Sequence, residues 1–344
     1  MRRLRQGVNG LPAKRVFPAA LVRIVALPGY TSSMPFRPTK ARRSARLRPE
    51  ERSTEQRNPA SRNLDAMSAL EIVRLINRED RKVAGAVARA LPRIAEAVEV
   101  IVRAIRGGGR LIYVGAGTSG RLAILDAVEL PPTYGIGADV VIPLIAGGKR
   151  AVMASGEGAE DSASAAVRDL RRVKLQRRDV VVGIAASGTT PYVLGALEFA
   201  RRQRAATIAL TANRRSPLAT LADISIVAEV GAEVVTGSTR MKAGTAQKMV
   251  LNMLSTAAMV RLGHTYENWM MDMSMTNKKL LGRGLRILVE ASGARWAKAE
   301  EALRQSGHNL RVALLMLKHN ISAGTARKKL SVAQGNLRVA ITGR

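Results

Sequence analysis

The chain has 344 residues, 47% of them hydrophobic, so it can bury a sizeable core and by length is expected to hold two domains. No apolar run reaches the roughly 18 residues of a membrane span, and the absence of cysteine excludes disulfides, a thiolate nucleophile and a thiolate metal site; a cytoplasmic protein without membrane partners is expected. A net charge of +30 invites a nucleic-acid partner, but aromatics at 3% leave no stacking platform and the bases spread over helix faces such as Arg168 to Arg178, so none is expected.

Residues 1–49 hold 12 Lys and Arg and no acid, leaving +18 for the remainder. This head is Pro-punctuated, and Pro18 and Arg23 break its one apolar patch, Val16 to Leu27, so it makes a poor secretory leader. Residues 1–53 are read as a basic, disordered extension with no catalytic role. Apolar spacing then predicts helices over Ala66 to Asn77 and Val83 to Ile105, ending at Gly107-Gly108-Gly109.

The stretch from Val114 to Gly135, V-G-A-G-T-S-G-R-L-A-I-L-D-A-V-E-L-P-P-T-Y-G, reads as a strand end, a tight loop and a helix start. Amides and hydroxyls at a helix N-terminus favour an anion, which makes Thr118 and Ser119 candidate phosphate ligands. Glu129 sits about two turns on, just before Pro131 and Pro132, which are expected to stop the helix. Gly115-x-Gly117-x-x-Gly120 also fits a dinucleotide fingerprint, weak evidence by itself. That reading needs an acid at the end of the next strand, and Asp139 instead starts the expected strand Asp139 to Ile145. A compact phosphate monoester suits the hydroxyl pair better.

The segment Glu157-Gly-Ala-Glu160-Asp161-Ser162 has a plain explanation, acids stabilising the start of a helix. Glu160 is a candidate only because its loop is placed to fold over the same crevice. After an expected strand Val180 to Ala185 comes a second hydroxyl-rich loop, Ser187-Gly188-Thr189-Thr190, with Pro191 suited to a first helical turn before the helix Tyr192 to Arg202. Further strands are expected at Thr207 to Leu210 and Ile224 to Val227. Near-continuous apolar strands alternating with helices predict an α/β fold, a doubly wound parallel sheet. Two phosphate-type loops at its strand carboxyl ends converge where such folds bind ligands.

In E-V-V-T-G-S-T-R-M-K-A-G-T, from Glu233, Ser238 reads as an N-cap and Glu233 and Thr236 fall near the sheet edge. Arg240 and Lys242 are placed to meet either an acidic substrate group or neighbouring acids. A long helix is expected over Thr239 to Leu262, in a Met-rich stretch read as adaptable packing. His264, after Gly263, reads as a capping residue, and His264, His308 and His319 lack a metal-ligand spacing. Short helices follow at Ile287 to Ser292, Trp296 to Gln305, Asn309 to Leu317 and Ser322 to Leu330. The expected division is residues 54–284, with N-terminal helices around a core of about 101–264, and a small helical C-terminal domain, 285–344.

From T-E-Q-R-N-P at Thr54 through G-A-G-T-S-G-R-L, D-A-V-E-L-P-P-T-Y-G, E-G-A-E-D, A-A-S-G-T-T-P-Y-V and T-G-S-T-R-M-K-A-G-T-A-Q-K, the chain resembles the N-acetylmuramic acid 6-phosphate etherases of the sugar isomerase (SIS) domain family. The resemblance spans all but the basic head. It implies a flavodoxin-like SIS fold and a carbon–oxygen lyase that removes D-lactate from the sugar phosphate. It implies Glu129 as proton donor to the lactyl oxygen, Glu160 as the second acid/base, and Thr118, Ser119, Ser187, Gly188, Thr189 and Thr190 as the phosphate cradle. Position 189 is often Arg in relatives, so Thr189 removes a charged contact. A homodimer with its site between subunits is implied, with no metal and no cofactor. The alternatives are a sugar-phosphate sensor resembling the glucokinase regulatory protein, which shares this domain, and a SIS-type aldose–ketose isomerase.

Overall fold

The computed structural model describes residues 53–154, 156 and 158–343, so the basic head and Glu157 lie outside the described residues. Helix α1 (Ala69–Ala88) begins at a capping box: the Ser68 hydroxyl accepts from the Glu71 amide while Glu71 accepts from the Ser68 amide. Helix α2 (Leu91–Arg106) follows at once. The break between them thus falls near Ala90, not in the expected polar gap after Asn77, because Leu75, Val83 and Val87 keep one apolar stripe buried through that gap.

The sheet comprises β1 (Leu111–Gly115), β2 (Val141–Ile145), β3 (Val180–Ile184), β4 (Ala206–Thr211) and β5 (Ile224–Val227). All pairings are parallel and the order is β2-β1-β3-β4-β5, the doubly wound architecture expected. Helix α3 (Gly117–Tyr134) follows β1; α4 (Arg150–Met153) and α5 (Ala163–Arg172) follow β2; α6 (Pro191–Arg202) follows β3; α7 (Pro217–Leu221) follows β4. Helix α8 (Lys242–Leu262) follows β5.

Side chains alternate across the strands and divide the core into two layers. Leu111 and Tyr113 pack with α2, α3 and α8; Ile112 and Val114 pack with α5, α6 and α7. A third apolar cluster, including Tyr266, Met271, Leu288, Leu303, Leu314 and Leu337, is built from a small hairpin, β6 (Thr265–Tyr266) and β7 (Trp269–Met270), and from α9 (Lys278–Ser292), α10 (Trp296–Gln305), α11 (Leu310–His319), α12 (Ala323–Val332) and α13 (Leu337–Thr342). The hairpin and α13 had no sequence signal strong enough to predict them.

Three local expectations are corrected. Helix α3 runs through Pro131 and Pro132 and stops only at Gly135, whose φ of 63° is left-handed. The prolines fall in the last turn, where few amide bonds remain to lose; Gly135 N still donates to Pro131 O at 2.9 Å and Thr133 Oγ1 to Glu129 O at 2.6 Å. Asp139 precedes β2, so the strand starts two residues later than expected. Ser238 is not the cap of α8, which starts after Met241 and is capped by Glu233, a carboxylate nine residues upstream of the first helical residue.

Candidate functional site

Because β1 runs on to β2 at one side and the chain then returns to β3 at the other, the sheet's switch point lies between β1 and β3. Gly115 and Ile184, paired in register, end those strands, so both hydroxyl-rich loops leave the sheet side by side. Helices α3 and α6, which open at these loops, have no side-chain hydrogen bond at their N-caps, Ala116 and Thr190. By contrast α1, α5 and α7 are each capped by a serine hydroxyl. First-turn amides of α3 are therefore left for a ligand, whereas in α6 Pro191 has no N–H and Val193 N donates to Thr190 O at 3.1 Å, so that end offers its dipole and the loop hydroxyls before it; both dipoles favour anions.

Close packing demands the glycines. A Cβ on Gly120 would stand 2.5 Å from Ile145 Cγ1, and one on Gly188, at φ +69°, would stand 2.2 Å from Ser216 Oγ. The second loop is braced from beneath: Asn213 Nδ2 donates to Ala186 O at 3.1 Å and Ser187 O at 3.3 Å, and Thr211 Oγ1 to Ala186 O at 3.1 Å. Ser187 Oγ accepts from Thr189 N at 3.3 Å and Thr189 Oγ1 at 3.1 Å, leaving its own proton to donate. Thr118, Ser187, Thr189 and Thr190 are half-buried and Gly188 is buried.

Ser119 behaves differently. It is buried, and its hydroxyl donates to Gln247 Oε1 of α8 at 2.9 Å. Gln247 Nε2 is buried and, among the described residues, has no hydrogen-bond partner. Asn213 and Gln247 escaped the sequence reading; Asn213's position just past a strand's carboxyl end was a usable signal, whereas nothing near Gln247 in the chain pointed to Ser119.

Glu129 is exposed on α3 and lines a cleft of about 250 Å³ with Leu122, Leu125, Asp126, Lys248, Leu251 and Asn252. Its Cα lies ten residues along the helix from Ser119, about 15 Å by helix rise, and helical side chains lean back toward the N-terminus. Asp126 beside it is held: it accepts from Asn252 at 2.7 Å and from Tyr113 and Ser255 at 3.0 Å. Burial pushes the Asp126 carboxyl up from its ordinary value against those hydrogen bonds. Glu160 is exposed in a short turn, Ala159–Asp161, entered through Gly158 in the left-handed region. Its segment leaves the carboxyl end of β2, next to β1, but it is on a different element from Glu129.

The two cations of the third motif part company. Arg240 is exposed, while Lys242 is buried and donates to Glu79 Oε2 at 2.8 Å and Ala232 O at 2.7 Å. Burial works against the Glu79 charge, but hydrogen bonds from Lys242, Lys82 and Asn58 outweigh it and hold the carboxyl at about 2. Glu233, buried, accepts from the Lys242 and Ala243 amides, and burial raises its carboxyl. Lys242 and Glu233 thus secure the start of α8 and do not face a ligand; Thr236 is exposed. His264 continues past the left-handed Gly263, its amide donating to Met259 O, and its Nδ1 lies 2.7 Å from Asp272 Oδ2.

Two domain families match within the chain: "Glucokinase regulatory protein N-terminal SIS domain" over residues 93–201 and "SIS domain" over residues 162–257. Curated relatives are similar over most of the sequence. The N-acetylmuramic acid 6-phosphate etherase of Edwardsiella ictaluri is 54% identical over 291 residues, covering 85% of this chain and 97% of that protein. Proteins of the same name from Serratia proteamaculans and Histophilus somni are 52% and 50% identical, covering 84% and 83% of this chain and 97% and 94% of theirs.

Proposed function

The chain belongs to the N-acetylmuramic acid 6-phosphate etherase family, and from that premise we propose that it splits the D-lactyl ether of N-acetylmuramic acid 6-phosphate, yielding N-acetylglucosamine 6-phosphate and D-lactate. The observation that carries this reading is the pair of helix N-termini without side-chain caps, at hydroxyl-rich loops on either side of the β1/β3 switch point, with a cleft bearing Glu129 further along α3.

The chemistry follows from the open-chain sugar. Its C1 aldehyde acidifies the C2 proton; a base takes that proton, the electron pair forms a C2–C3 double bond and the C3–O bond breaks. The ether oxygen takes a proton and leaves as D-lactate, and water adding at C3 restores the saturated sugar. Glu129 is assigned as the donor to the lactyl oxygen and Glu160 as the base at C2. Thr118 and Ser119, with Ser187, Gly188, Thr189 and Thr190, hold the phosphate at the two helix N-termini; Ser119 must turn its proton from Gln247 to do so.

A homodimer completing the site is part of this reading. Its support is that Leu125, which lines the cleft, and Val128, one residue before Glu129 on α3, are large apolar side chains 50% and 55% exposed. A phosphorylated sugar does not cross a membrane, so we place the reaction in the cytoplasm, in amino-sugar catabolism or cell-wall recycling. Purified protein given N-acetylmuramic acid 6-phosphate should release D-lactate, and Glu129→Gln should lose at least about 100-fold of the rate, the usual scale of a general acid. Wild-type protein that binds the sugar phosphate without turnover would instead mark a sensor.

A further inference from the structure

The leaving group of this reaction is itself an anion. Its carboxylate is on the carbon bonded to the ether oxygen, only a few ångströms from the atom Glu129 protonates. A cleft lined by Asp126, in which Glu129 becomes an anion as it gives up its proton, would repel that carboxylate unless a cation lies in the same cleft.

Lys242 is excluded, being buried against Glu79. Contacts between α3 and α8 locate the alternatives. A Cβ on Gly244 would lie 3.5 Å from Thr118 Cγ2, Gln247 meets Ser119, and Asn252 meets Asp126, so the two helices run parallel and side by side. Arg240, upstream of Gly244, is therefore at the phosphate end. Lys248, one turn past Gly244, is the cation lining the Glu129 cleft. It is exposed and forms no ion pair within 4 Å among the described residues; it attracts the Asp126 carboxylate from a greater distance, the direct contacts to that group coming from Asn252, Tyr113 and Ser255.

We propose that Lys248 binds the carboxylate of the lactyl substituent and is the residue by which this site prefers a lactyl ether to an unsubstituted sugar phosphate. The inference rests on the etherase reading. It is tested with the full-length Lys248→Met and Lys248→Arg variants in two reactions: D-lactate release from N-acetylmuramic acid 6-phosphate, and exchange of the C2 proton of N-acetylglucosamine 6-phosphate in D₂O, which needs the base but has no carboxylate to bind. Lys248→Met should shift the ratio of the two kcat/KM values by about 10- to 100-fold against the lactyl substrate, chiefly through KM, and Lys248→Arg should restore most of it. D-lactate should also inhibit the exchange reaction of the wild type more strongly than that of Lys248→Met. Equal losses in both reactions, or none in the first, overturn the proposal while leaving the etherase reading intact. A wild-type protein that releases no D-lactate removes the etherase reading itself.

Discussion

Lys242 shows how much one buried side chain decides. With 2% side-chain exposure it faces Glu79 at 3%, which also accepts from Lys82 and Asn58. Without Lys242 the buried Glu79 carboxylate keeps only Lys82 at 2.6 Å and Asn58 at 3.0 Å, so Lys242→Met should lower unfolding stability by up to about 3 kcal/mol in urea melts, and adding Glu79→Gln should recover part of that. The pair also predicts a pH dependence. Glu79 is held at about 2, below its ordinary value near 4.5, so its contribution is complete above pH ~4.5 and disappears as pH falls through 2. The amount is on the order of 3 kcal/mol. Acid titration of the fold should therefore show a transition in that window that moves to higher pH in Lys242→Met; identical acid curves for the two proteins would contradict it.

Among elements, the strand–loop–helix unit at β1 and α3 distinguishes glycines with different jobs. Gly120 lies where a Cβ would meet Ile145 Cγ1 at 2.5 Å and Gly115 O at 3.0 Å, so Gly120→Ala must push α3 away from the sheet. Gly117 has φ of +51° but open space around a Cβ, so Gly117→Ala meets only the left-handed backbone penalty, about 1 to 2 kcal/mol. Thermal melts should rank Gly120→Ala well below Gly117→Ala, and Gly120→Ala should weaken phosphate binding as well. Equal melting temperatures would show that the packing of this turn is looser than its geometry. Helix α3 also corrects a rule: two prolines in a final turn did not end it, because left-handed Gly135 could.

At the scale of the molecule, the exposed Leu125 and Val128 beside Glu129 predict self-association through α3. Leu125→Asp combined with Val128→Asp should give a monomer by sedimentation and lose D-lactate release, although neither side chain has chemistry to offer. Dimers of unchanged mass would place the subunit contact elsewhere. The C-terminal helices attach to the sheet domain partly through Asp272, which faces His264 after α8 and is bonded by Arg311 of α11; Arg311 also donates to Gly335 O at 2.7 Å.

Strand–turn–helix order and both hydroxyl-rich loops at strand carboxyl ends were legible in the sequence, since they depend on apolar period, glycine conformation and hydroxyl spacing within a few residues. Helix ends were read less well, for competing caps act from outside the window, as Glu233 does on α8. Which polar residues are taken up by partners inside the fold was decided only by the tertiary structure. Lys242 was a candidate substrate contact until packing joined it to a glutamate 163 residues away, and Gln247 meets Ser119 across 128. No local pattern encodes such pairs. They form because α3 and α8 pack together on one face of the parallel sheet and α1 packs on α8, and a buried charge or amide must then find its partner on whichever element lies opposite.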